Sequence, residues 1–91
     1  MVGYKRLTDI LGYIKLLFNV RENFFYEKLG NVILRLRENK KLTQEQLCFL
    51  CEINRSYLFK IEKGLTNPSI KTLSKICKTL RIKIRDLIKK I

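Results

Sequence analysis

Residues 42–64 read LTQEQLCFLCEINRSYLFKIEKG, and this stretch decides the fold. It holds two short helical patterns joined by a tight turn. Thr43 and Gln46 make the Ser/Thr-x-x-Glu/Gln capping box, in which each residue satisfies an otherwise unpaired backbone N–H at a helix start. Asn54 is a good N-cap for a second helix. Leu47, Leu50 and Cys51 give the first helix an apolar face, and Leu58 and Ile61 do the same for the second. Arg55, Ser56, Phe59 and Lys60 are left on the outside of the second helix, near its start. A helix buried along one stripe and polar and basic on the other suits the DNA major groove.

Upstream, Leu29, Val32, Ile33 and Leu36 mark the buried face of a helix over residues 24–40, with Asn23 as its cap and Gly30 as a minor flaw. Arg35, Arg37, Glu38, Lys40 and Lys41 gather towards its end, where cations complement the helix dipole. Downstream, Gly64 can take the left-handed conformation that ends a helix. Leu65 to Pro68 form a loop, because Pro68 cannot continue a helix, and Ser69 caps the next one. That helix, over 70–80, carries Ile70, Leu73, Ile76, Cys77 and Leu80 on one side. A last helix over 82–91 turns Ile84, Leu87, Ile88 and Ile91 inward and Arg85, Lys89 and Lys90 outward. At the other end, Leu7, Ile10, Leu11, Ile14, Leu17 and Phe18 predict an amphipathic helix over 5–20, weakened at Gly12. It either packs on its own domain or serves as a dimer or partner-binding arm. No segment alternates with the period of a strand. The chain therefore divides into a 1–22 arm and a 23–91 domain, and the fold class is all-α: five helices plus an additional N-terminal one.

Ninety-one residues are enough for one small domain. The net charge of +12, from 20 basic and 8 acidic residues, favours a polyanion, either nucleic acid or an anionic membrane surface, and charge alone does not choose between them. From residue 71 onward Asp86 is the sole acid among eight cations. There is no His, which removes the commonest general base and metal ligand. No nucleophile–base set and no Gly-rich phosphate loop is present, so neither an enzyme nor a cofactor is expected. Cys48 and Cys51 spell Cys-x-x-Cys, but a redox site needs a βαβ setting and a zinc site needs a fourth ligand. Core packing of reduced thiols is the expectation, and no metal site. The odd cysteine count and the lack of a signal peptide point to a cytoplasm: Lys5 and Arg6 precede apolar residues, but Asp9 and Lys15 interrupt them and no cleavage site follows. No run approaches the ~18 apolar residues of a membrane span.

Three motifs agree in order and spacing. LRENKKLTQEQL (36–47), RSYLFKIEKG (55–64) and NPSIKTLSKICKTL (67–80) resemble, respectively, the first-to-second helix junction, the recognition helix and the fourth helix of the lambda-repressor-like, Cro/XRE-type helix-turn-helix family. The resemblance covers Leu29 to about Leu87. It implies five short helices and a homodimer on a two-fold-symmetric site in double-stranded DNA. It places Arg55, Ser56 and Lys60 where the family reads base edges, and Gln44 where it contacts phosphate. Phe59, also on the exposed side, either meets a thymine methyl or is a surface aromatic. Asn54, Lys63 and Asn67, at helix ends or in the loop, are further phosphate candidates, Asn54 being first of all a cap. The resemblance implies that Arg37 and Glu62 form an internal salt bridge between the first and third helices.

There are departures too. Glu52 and Arg81 stand where the family commonly has Gly, and Lys83 replaces a better cap. A residue other than Gly in the left-handed conformation costs roughly 1–2 kcal/mol, so the turn at Glu52 is either strained or differently shaped. The function expected from all this is a DNA-binding transcription regulator of bacterial or phage origin, either a phage-type repressor or a restriction–modification controller. The alternative is an antitoxin-type module that captures a partner protein through residues 1–22.

Overall fold

The computed structural model describes residues 24–91, and among these all regular structure is helical. Helix α1 occupies residues 24–39. It is followed by α2 (Gln44–Cys51), α3 (Arg55–Lys63), α4 (Ile70–Leu80) and α5 (Ile84–Lys89). The expected helix over 5–20, its partner-binding role and the Asn23 cap lie outside the described residues.

Three of the starts are fixed by side chains. Thr43 Oγ1 accepts from Gln46 N at 3.0 Å, and Gln46 Oε1 accepts from Thr43 N at 2.8 Å, so the box at the start of α2 is closed both ways. Asn54 Oδ1 accepts from Ser56 N at 2.7 Å, and Ser69 Oγ from Thr72 N at 3.1 Å. Lys83 makes no side-chain cap, and α5 is correspondingly short, at six residues.

The ends of α1 to α4 share one device. Lys41, Glu52, Gly64 and Arg81 all have φ between 56 and 73°. The residue after each donates its N–H five residues back: Leu42 to Arg37, Ile53 to Cys48, Leu65 to Lys60 and Ile82 to Cys77, at 2.9–3.1 Å. This is the Schellman closure, with the apolar residue that accompanies it following each left-handed position. Glu52 therefore keeps the geometry a glycine would give, φ 56° and ψ 45°, and carries the strain.

The core is Leu29 and Ile33 of α1, Leu47, Cys48 and Cys51 of α2, Leu58 and Ile61 of α3, Leu73, Ile76, Cys77 and Leu80 of α4, and Leu87 of α5. Three apolar residues expected inside are outside: Leu50, Ile70 and Ile88 are 55%, 70% and 51% exposed. Leu50 sits about 100° around α2 from the line through Leu47, Cys48 and Cys51, and Ile88 about 100° from Leu87, off the buried stripe in both cases. Ile70 is the first residue of α4, at the edge of that helix's stripe. Ile91 is only partly buried.

Helix α1 brings the largest correction. Its buried line runs through Leu29, Gly30, Ile33 and Arg37, while Val32 and Leu36 are only half-buried. Gly30 is thus not a flaw but the point of closest approach. A Cβ there would collide with the carbonyl oxygen of Ile61 and lie 2.7 Å from that of Glu62. Gly64 meets α1 in the same way, since its Cβ would stand 2.7 Å from Glu27 Cα. The backbone of α1 lies directly on the end of α3.

Two stability changes follow. Gly30→Ala should lower the unfolding free energy by about 1–3 kcal/mol in urea denaturation, because backbone carbonyls cannot swing aside. A wild-type midpoint would remove the close-approach argument. Glu52→Gly should raise stability by about 1 kcal/mol, after the entropic cost of glycine is set against the relieved strain. That corresponds to a Tm increase of about 4–8 °C, and a lowered Tm would show that the turn is unstrained.

Candidate nucleic-acid interface

Helix α3 is sharply two-sided. Leu58, Ile61 and Glu62 are buried, whereas Arg55, Ser56, Phe59, Lys60 and Lys63 are exposed. Tyr57, at the edge, is half-buried and its hydroxyl accepts from Ser69 N at 3.3 Å, tying α3 to the start of α4. Gln44, the first residue of α2, stands across from the α3 outer face. Gln44, Arg55, Ser56, Phe59 and Lys60 together border one open groove. Five side chains singled out in the sequence are therefore on one surface. Asn54, Lys63 and Asn67 are exposed but do not border it. The Asn54 side-chain oxygen Oδ1 is occupied as the α3 cap. Lys63 Nζ lies 5.8 Å from the centre of the Phe59 ring, within cation–π range, so these two side chains form a continuous patch.

Behind the groove is a buried polar cluster. Arg37 Nε donates to Glu62 Oε2 at 2.7 Å and Arg37 Nη2 to Glu62 Oε1 at 3.0 Å, a bidentate pair. The third nitrogen, Nη1, donates to Leu42 O at 2.8 Å and so holds the turn between α1 and α2. The side chains are 10% and 3% exposed. Hydrogen bonding to Glu62 raises the Arg37 guanidinium above its usual pKa, against the opposing pull of burial. Gln44 Nε2 also donates to Glu62 Oε1, at 2.8 Å. The family resemblance implies a phosphate contact for Gln44; the structure shows one of its two N–H groups committed inward. Helical spacing alone carries no signal for this bond, which joins residues 18 apart through the tertiary fold.

The three cysteines are free and buried, and desolvation raises each thiol pKa. Cys51 Sγ lies 3.2 Å from Thr79 Oγ1 and so faces α4, and Cys48 is buried in the core. A second open groove was not foreseen. It is bordered by Leu42, Glu45, Gln46, Phe49 and Leu50, on the side of α2 where Phe49 is 83% exposed.

The family model described as helix-turn-helix matches residues 33–87 of this chain. Over 60 residues the chain is 35% identical to the control protein C.BamHI of Bacillus amyloliquefaciens, a match covering 65% of this chain and 74% of that protein. Among solved structures it is similar to the restriction-modification controller protein C.AhdI from Aeromonas hydrophila, with a TM-score of 0.66 and 37% identity over 68% of this chain and 94% of that one. It is similar as well to the controller C.Esp1396I, solved as a tetramer in complex with its natural 35 base-pair operator, with a TM-score of 0.65 and 34% identity over 74% and 93% of the two chains.

Removing one partner of a buried ion pair leaves the other charge without compensation. Arg37→Met alone should therefore cost about 3–5 kcal/mol, while Arg37→Met combined with Glu62→Leu should recover most of that loss. Urea denaturation of both variants measures it, and a loss below about 1 kcal/mol for the single change would show that the pair does not brace the fold.

Proposed function

This chain belongs to the helix-turn-helix family, and from that premise we propose that it is a sequence-specific DNA-binding transcription regulator acting as a homodimer on a symmetric operator. The observation that carries the reading is the single groove bordered by Gln44, Arg55, Ser56, Phe59 and Lys60 on the outer side of a helix whose inner side is locked into the core. Set into the major groove, α3 presents Arg55 and Lys60 as donors to guanine O6 and N7, with Ser56 serving either donor or acceptor edges. Phe59 offers an apolar surface to a thymine methyl. The first backbone N–H groups of α2 face an anion favourably, and Gln44, Asn54, Lys63 and Asn67 hold the flanking phosphates.

The net charge of +12 supplies the long-range attraction that every such complex needs. Two copies place their α3 helices about 34 Å apart on successive major grooves. Regulation then comes from occlusion of, or contact with, RNA polymerase on the DNA of a bacterial cytoplasm, and no catalytic step is involved. The controllers are matched over 74% and 94% of their length, against 42% for a phage immunity repressor of 37% identity, which supports the restriction–modification controller over the phage-type repressor.

Selection of bound duplexes from a random pool should return a palindromic consensus. On that consensus, Arg55→Ala should cost ~1–3 kcal/mol and relax preference at one position of each half-site. Lys63→Ala should instead weaken all sequences alike and reduce the salt slope by about one. Binding that does not change between low and physiological salt would overturn the DNA reading.

A further inference from the structure

We propose that the buried Arg37–Glu62 pair is a positioning device for DNA recognition: it fixes the orientation of the Gln44 side-chain amide, and with it the register between the start of α2 and the reading face of α3. This rests on the DNA-binding reading above and goes beyond it, by giving two buried residues that touch no DNA a role in recognition.

The argument starts from donor and acceptor chemistry. An ionised carboxylate only accepts, whereas an amide has a donating end and an accepting end. Glu62 Oε1, 2.8 Å from Gln44 Nε2, therefore dictates which end of the amide faces inward. The planar nitrogen has a second N–H, splayed about 120° from the first, and that donor is left for the groove that Gln44 borders. Without Glu62, a glutamine at the first position of a helix would sample several rotamers and both amide orientations. Ordering it on a phosphate would then reduce affinity by a factor on the order of ten.

Glu62 can do this only because Arg37 accompanies it. Glu62 lies seven residues after Arg55, so it falls within about 20° of the same line along α3 as the groove-facing Arg55. An unpaired carboxylate there would repel the phosphates that the groove is meant to approach. Arg37 occupies both carboxylate oxygens, at 2.7 and 3.0 Å, and cancels the charge while leaving Oε1 able to accept from Gln44. Arg37 in turn comes from α1, which the bare backbone of Gly30 lets settle onto the carbonyls of Ile61 and Glu62. Three helices thus meet at one amide.

The test is a double-mutant cycle on the full chain and its selected operator. In the wild type, Gln44→Ala should weaken operator binding about tenfold. In the Arg37→Met/Glu62→Leu background, whose folding is checked by its melting curve, binding should already be about tenfold weaker, and adding Gln44→Ala should cost less than about twofold more. A tenfold effect of Gln44→Ala in both backgrounds would overturn the proposal, making the pair a structural brace only, while operator binding by the wild type would still support the regulator reading. A wild type that binds no DNA would overturn both. One measurement needs no variant: the Gln44 side-chain NH2 of the free protein should show an NMR order parameter near the rigid-backbone value of about 0.85, and a value below about 0.6 would equally overturn the proposal.

Discussion

The contact between Arg37 and Glu62 is the constraint on which the rest of the structure depends. It joins α1 to α3 by two short hydrogen bonds, and the third guanidinium nitrogen joins both to the turn that leads into α2. Desolvating two charges is costly unless their remaining valences are met. Here they are met: among the described residues no buried side-chain nitrogen or oxygen lacks a partner. Such a cluster has one satisfied arrangement, so it fixes where the three helices sit relative to one another more firmly than apolar packing alone, which tolerates sliding and repacking. The pair forms only if α1 comes close enough, and Gly30 sets that distance.

A second constraint acts on the chain between helices. Lys41–Thr43, Glu52–Asn54 and Arg81–Lys83, the last three residues of links three or four residues long, share one plan: a left-handed residue, an apolar residue that covers the helix end, and the residue that starts the next helix. Links this short leave little freedom in the angle between successive helices. The left-handed position has a cost in each link, because Lys, Glu and Arg carry a Cβ where glycine would not. Summed over three positions, this is roughly 3–6 kcal/mol, a large share of the 5–15 kcal/mol that typically holds a domain together. The chain sustains it through closures that satisfy the last carbonyls of each helix and through Leu42, Ile53 and Ile82, which pack against the core.

Helix starts and the fold class were legible in the sequence because they depend on local chemistry. The capping box at Thr43 and Gln46, the caps Asn54 and Ser69, and the stop at Gly64 each act within a few residues. The groove-facing side of α3 was legible for the same reason, since it is what remains when Leu58 and Ile61 are placed inside. What could not be read depends on tertiary approach. Gly30 looks like a weak helix residue until the carbonyls of α3 are brought against it. Leu50 and Ile88 look buried from their spacing, yet the centre of each buried stripe is set by what packs opposite. The left-handed Lys41 had no flag, because nothing in its side chain asks for that conformation. The Gln44–Glu62 bond is of this kind as well: residue types permit it, but only the assembled helices bring the two together.

The two faces of α3 separate what the protein must keep from what it can change. Leu58 and Ile61 are 0% and 1% exposed, and truncating either would open a cavity costing several times more than a typical surface substitution. Arg55, Ser56, Phe59 and Lys60 are all exposed, so replacing them perturbs the fold little while altering the groove they border. In the proposed complex with DNA, sequence preference can therefore shift at small cost in stability. Glu62 breaks the separation. It belongs to the core by burial and reaches the groove bordered by Gln44 through its bond to that side chain, so a change there alters folding and the orientation of Gln44 at once. The consequence is a division along one nine-residue helix: its outer face is free to vary, and its inner acid is held by its bonds to Arg37 and Gln44.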